Sequence, residues 1–114
     1  MAFVDTEQYT AGEVRQKVGR LRLSEAIRIG ARIRPQCEGS FFEDGRSCAM
    51  GAAMEGSGLP YREMREASQA AVAMFPELFL SGTSYTPLGR SIFMRNDTGM
   101  SREEIADWLQ SKGL

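Results

Sequence analysis

Residues 45–58, GRSCAMGAAMEGSG, constrain the fold more than any other stretch of this chain. From Cys48 onward they are almost wholly small residues and methionines, and the Gly-Ser-Gly at 56–58 breaks the run. Ser47 is placed to cap a helix that begins at Cys48. Ala49, Gly51, Ala52 and Ala53 leave room for a second helix to approach closely, so the segment reads as a helix shaped for tight packing. Met50 and Met54, four apart on it, and Met64 and Met74 further on, fill irregular core gaps by default, and the alternative is an adaptable surface for a partner.

Cys48 gives the same helix a second reading. First-turn N–H groups and the macrodipole favour a thiolate, and Arg46 lies two residues away. Against this, the chain has no histidine to act as base, and free cysteine is among the most buried residue types. The lack of histidine also removes Ser-His and Cys-His catalysis and histidine metal ligation. Cys37 and Cys48 are the two cysteines. They are not in C-x-x-C spacing and are too few for a disulfide framework, so neither a metal nor a cofactor is expected.

A chain of 114 residues, a quarter of them charged, suits one domain that buries roughly two-thirds of its unfolded surface. The net charge of −1 argues against a generic basic nucleic-acid binder on the whole-chain average. No stretch approaches the roughly 18 apolar residues of a membrane helix, and the start, MAFVDTEQYT, has neither a basic n-region nor an apolar h-region. A cytoplasmic protein without a membrane partner is expected.

Along the chain, Thr10 and Glu13 form a capping box with Tyr9 stapled to Val14, which starts a helix near Thr10. Ser24 caps a second, whose apolar face is Ala26, Ile27, Ile29, Gly30 and Ile33 and which Pro35 ends. CEGSFFEDGRS at 37–47 reads as a surface loop or a tight hairpin around Asp44-Gly45. After the small-residue helix, Pro60 opens another that carries Tyr61, Met64, Ala67, Ala71 and Phe75 and stops before Pro76. Residues 80–87 form a flexible connector, and Thr86-Pro87 caps and starts a helix that Asn96 to Gly99 ends. Ser101 with Glu104 makes a further capping box, Met100 staples onto Ile105, and Ile105, Trp108 and Leu109 give one apolar stripe. No strand is expected.

Half of the basic residues lie between 15 and 34: Arg15, Lys17, Arg20, Arg22, Arg28, Arg32 and Arg34, opposed by Glu25 alone. Arginine suits bidentate recognition of carboxylate or phosphate, so Arg20, Arg22, Arg28, Arg32 and Arg34 are candidate anion-binding residues, nucleic acid included. The plainer reading pairs them with the chain's own acidic half, because the segment lacks aromatic residues to stack bases. Phe41 and Phe42 are either a core plug under their loop or an anchor for a partner. The carboxylates Glu43, Asp44, Asp97, Glu103 and Glu104 would need to converge in a cleft to do acid–base or metal chemistry. Asp44 is already explained by its turn and Glu104 by its capping box.

Three blocks, LSEAIRIGARIRPQ (23–36), GRSCAMGAAMEGSG (45–58) and RNDTGMSREEIADWL (95–109), together resemble a group of small helical proteins of bacteria and their phages that carry no assigned activity. The resemblance implies a small, mostly helical domain and no catalytic residue. Some members carry cysteine pairs in the middle segment that suit zinc, whereas this chain has no cysteine after Cys48.

These readings converge on an all-α domain spanning 1–114, with residues 1–9 as a mobile N-terminus and four to six short helices around one core. Ile27, Ile33, Ala53, Ala71, Phe75, Ile92, Ile105 and Trp108 are its expected interior. The leading functional expectation is a non-enzymatic protein-interaction or regulatory module that contacts another protein through Phe41, Phe42, Met50 and Met54. The alternatives are anion or nucleic-acid binding through 15–34 and, last, a thiol enzyme built on Cys48. A homodimer is open, since the small-residue helix can pack against its own copy.

Overall fold

A computed structural model describes residues 21–58, 74–81 and 84–114. Among them are four helices, α1 (Leu23–Ala31), α2 (Ala49–Gly56), α3 (Pro87–Asp97) and α4 (Arg102–Ser111), and a two-stranded antiparallel hairpin, β1 (Phe42–Glu43) and β2 (Arg46–Ser47). The expected helix at Thr10, the one opened by Pro60, and Ala71 lie outside the described residues, as do residues 1–9.

The chain is mostly helical, but the hairpin departs from the all-α expectation. Its two-residue turn has positive φ at both Asp44 (49°) and Gly45 (75°), the geometry whose twist matches the flanking strands and for which Asp-Gly is a preferred pair. The strands were missed because two residues are too few for a period of two to register. Pairing does not stop at the hairpin. The Cys37 N–H donates to Ser47 O at 3.0 Å, the Ser47 N–H to Pro35 O at 2.9 Å, and the Cys48 N–H to Phe41 O at 3.0 Å.

The close-packing helix finds its partner in α1. A Cβ built on Gly30 would stand 1.8 Å from the carbonyl oxygen of Ala52, and one on Gly56 1.8 Å from that of Ala26. Ala26 and Gly30 on α1, and Ala52 and Gly56 on α2, are each four apart, so each helix turns one small-residue stripe to the other and the backbones touch. This stripe of α2, which suited self-association, is occupied within the chain. Every residue of α2 is buried.

Four local expectations are corrected. The cap of α2 is Cys48 rather than Ser47, its Sγ accepting from the Gly51 N–H at 3.5 Å. Helix α1 begins at Leu23 behind Arg22, without a side-chain cap, while the Ser24 hydroxyl donates instead to Leu114 O at 2.7 Å. It also ends at Ala31, four residues before Pro35, so Ile33 no longer continues the apolar face and is 43% exposed. Trp108 is half-buried at the core edge rather than inside, whereas Ile27, Ala53, Phe75, Ile92 and Ile105 are fully buried.

The C-terminal half follows its signals. Thr86 caps α3 with Pro87 at the first position, and Thr98 and Gly99 (φ 99°) end it. Ser101 and Glu104 form the reciprocal capping box of α4. Ahead of α3, the Thr86 N–H donates to Leu78 O and the Thr86 hydroxyl to Glu77 O. Phe41, Phe79, Tyr85 and Phe93 follow in a row of tilted rings at 6.0, 5.2 and 5.3 Å between centroids, a spacing favoured by the ring quadrupoles.

Candidate functional site

Asn96, Gln36 and Arg102 join helix ends through their side chains. Asn96 is fully buried, and its Oδ1 accepts from the Ala49 N–H at 3.0 Å, one of the orphan donors at the start of α2. The same oxygen accepts from Gln36 Nε2 at 3.0 Å, while Asn96 Nδ2 donates to Cys37 O at 2.9 Å. Gln36 donates also to Met100 O at 2.9 Å, and its Oε1 accepts from the Arg102 N–H at 3.2 Å, which caps α4.

Arg102, a residue only 7% exposed, completes the network. It donates to Ser47 Oγ at 2.8 Å and Ser47 O at 3.3 Å through one nitrogen, and to Ala31 O at 3.3 Å and Arg34 O at 2.7 Å through the other. The carbonyls at and beyond the end of α1 are where a cation meets the negative end of the helix dipole. Burial lowers its pKa from the usual arginine value. These groups join the ends of α1, α2 and α4 to one another.

Cys48 is 1% exposed, and burial pushes its pKa up to about 12 from an ordinary 9.0 despite the N–H groups of Met50 and Gly51. Desolvation therefore overrides the helix N-terminus, and the thiol is neutral at physiological pH. In the unfolded chain it ionises from about 9 upward, so its contribution to stability is full below pH 9 and is lost as pH rises from 9 towards 12, at about 1.4 kcal/mol per pH unit. Urea unfolding at about pH 8 and about pH 10 should register that loss, and Cys48→Ala should flatten the slope. Some slope remains, because burial also raises Cys37 and Tyr85. A slope unchanged in the variant would contradict the assignment.

Among the described residues of the arginine segment, Arg22, Arg28 and Arg34 stand against the chain's own carboxylates. Arg34 makes a bidentate pair with Glu55 at 2.6 and 3.0 Å, both side chains mostly buried. Arg28 reaches Asp107 at 2.5 Å and Glu103 at 3.8 Å, and Arg22 stands 4.0 Å from Glu25 at the surface. Arg32 is exposed. Arg15, Lys17 and Arg20 lie outside the described residues.

The Met/Phe surface expected near 41–54 is turned inward. Met50 and Met54 are 2% and 0% exposed and Phe42 is 9% exposed. Phe41 is half-buried against Phe79. Core filling is thus what the two methionines do.

An unpredicted surface lies on α3. Tyr85, Pro87, Arg90, Ser91, Met94 and Arg95 line a largely apolar hollow of about 500 Å³, and Met94 is 59% exposed. Arg95 is held from two sides: it donates to the Ser91 hydroxyl, and its guanidinium carbon lies 3.8 Å from the Trp108 ring centroid, close enough for cation–π attraction. The available signal was positional. Residues 87, 90, 91 and 94 recur at helical spacing on one face of α3, opposite in phase to buried Gly89, Ile92 and Asn96.

A second hollow of about 490 Å³ is polar, with Glu38, Glu43, Asp44 and Arg46 beside Gln36 and Cys37. Among the described residues, no helix is long and apolar enough to cross a membrane. Comparison of the chain with protein-family models, with curated proteins and with solved structures finds no match.

Proposed function

We propose that this chain is a non-enzymatic protein-interaction module that receives a segment of another protein in the hollow on α3. The observation that carries the reading is the hollow itself: a concave, largely apolar surface with a well-exposed methionine at its edge. Apolar concavities with a few fixed polar groups suit ligand or partner segments, and methionine adapts to varied apolar shapes. The inward hydrogen bonding of Asn96, Gln36 and Arg102 and the neutral thiol of Cys48 support a role without catalysis. The proposed contact moves from residues 41–54 to residues 85–95. The ion pairs of Arg28 and Arg34 weigh against anion binding through 15–34.

Met94→Asp tests the proposal, because an exposed substitution should change stability by no more than about 0.5 kcal/mol. Tagged wild type and variant are incubated with nuclease-treated and untreated lysate of the native host at two salt concentrations, and bound proteins are identified by mass spectrometry. The expected result is a protein retained by the wild type at high salt after nuclease and lost from the variant. Retention that vanishes with nuclease or salt would overturn the proposal in favour of a polyanion, whose affinity falls steeply with ionic strength.

A further inference from the structure

The hollow on α3 has a sign as well as a shape. Helix α3 carries two cations, Arg90 and Arg95, both in the hollow's lining, and one carboxylate, Asp97, which lies outside that lining and accepts from the Gly39 N–H at 3.0 Å. Arg90 is exposed and makes no ion pair with a described residue. Arg95 is fixed by Ser91 and Trp108, so less side-chain entropy is lost when it meets an anion. Lys112 Nζ stands 5.2 Å from the same indole, outside the hollow's lining. The whole chain is slightly acidic, which makes the cluster a local feature and not a reflection of the average.

We infer that the hollow selects an acidic peptide segment, one that sets a large apolar side chain against Tyr85, Pro87 and Met94 and carboxylates against Arg90 and Arg95. The inference rests on the interaction-module reading and adds the partner's chemistry. The apolar floor distinguishes a peptide from a bare polyanion, since a phosphate backbone offers nothing to Met94, whereas an Asp- or Glu-flanked Leu or Phe satisfies both halves of the site. The carboxylate–guanidinium pairs set specificity and association rate, and the apolar anchor supplies most of the residence time.

A random-peptide phage library selected on the immobilised full chain gives the probe: the most enriched peptide, resynthesised with a fluorophore and titrated by fluorescence polarisation. Enriched sequences should combine carboxylates with a large apolar residue. Arg90→Glu should weaken binding about tenfold or more, as expected for loss and reversal of a charge-assisted contact. The same peptide with lysine in place of its carboxylates should prefer the R90E variant over the wild type, an effect that misfolding would not produce. Enrichment of neutral or basic peptides, no enrichment, or affinity indifferent to both R90E and M94D would overturn the inference. So would sedimentation of the wild type as a dimer that M94D abolishes, because a second copy would then fill the hollow. Peptides bound at another face sink this inference alone, whereas the host-lysate experiment decides the interaction-module reading separately.

Discussion

Gly56→Ala is expected to lower stability by about 3 kcal/mol, with a fall in Tm of roughly 15 °C. The added methyl would stand 1.8 Å from the oxygen and 2.7 Å from the carbon of the Ala26 carbonyl, and 3.0 Å from the Gly30 nitrogen. All three atoms are backbone, so no side chain can rotate away and the helices must move apart. Alanine is the better helix former by about 1 kcal/mol, but that gain is smaller than the cost of separating α1 and α2 along their shared stripe. Gly30→Ala should behave in the same way, since its methyl meets the Ala52 carbonyl at 1.8 Å. Thermal unfolding followed by circular dichroism measures both. Against a total stability of about 5–15 kcal/mol for a domain of ordinary robustness, either substitution should leave a marginal fold. An unchanged Tm would mean that the two backbones are not in contact.

Arg102→Met should cost a comparable or larger amount, about 3–5 kcal/mol, for a different reason. Methionine retains much of the side-chain volume, so the loss is polar: the carbonyls of Ala31, Arg34 and Ser47 and the Ser47 hydroxyl all lose the same donor, although Ser47 O keeps the Cys37 N–H. Each buried acceptor left without a partner costs about 1–3 kcal/mol, discounted where water can enter. Arg102→Lys should recover only part of this, because a point-like ammonium cannot serve both the α1 end and Ser47 as the planar fork does. Urea titrations of the three proteins would separate the cases. A loss below about 1 kcal/mol in the methionine variant would mean that water replaces the guanidinium without penalty.

What the sequence revealed was local. The Thr86-Pro87 start, the Ser101–Glu104 box and the Asp44-Gly45 turn each draw on groups within a few residues of one another, and spacing alone exposes such pairs. The close-packing character of α2 was legible in its composition, although nothing in a linear reading identifies α1 as the partner. The misreadings have separate physical causes. Ser24 looked like a cap, but its hydroxyl belongs to a carbonyl ninety residues away. Ile33 looked apolar-in-phase, but α1 had already ended at Ala31. Phe42, Met50 and Met54 carry no mark in the sequence that separates a core plug from a partner anchor, and packing alone decided it. The hollow on α3 was missed because its residues, Pro87, Arg90, Ser91 and Met94, form a mixed face rather than a run of one chemical kind.

The polar joints of this molecule also bear on the order in which it can be assembled. Asn96, Arg102 and Leu114 serve partners at Ser24, Ala31, Arg34, Cys37, Ser47 and Ala49, all far earlier in the chain. A growing polypeptide from which residues 96–114 have not yet emerged therefore holds the end of α1 and the start of α2 without these donors and acceptors, leaving those groups to water. Contacts of such sequence separation carry a loop-closure cost that must be met before they stabilise anything. During synthesis the small-residue crossing of α1 and α2 can form early, with the Arg34–Glu55 pair beside it, and the polar joints from α3 and α4 close on it later.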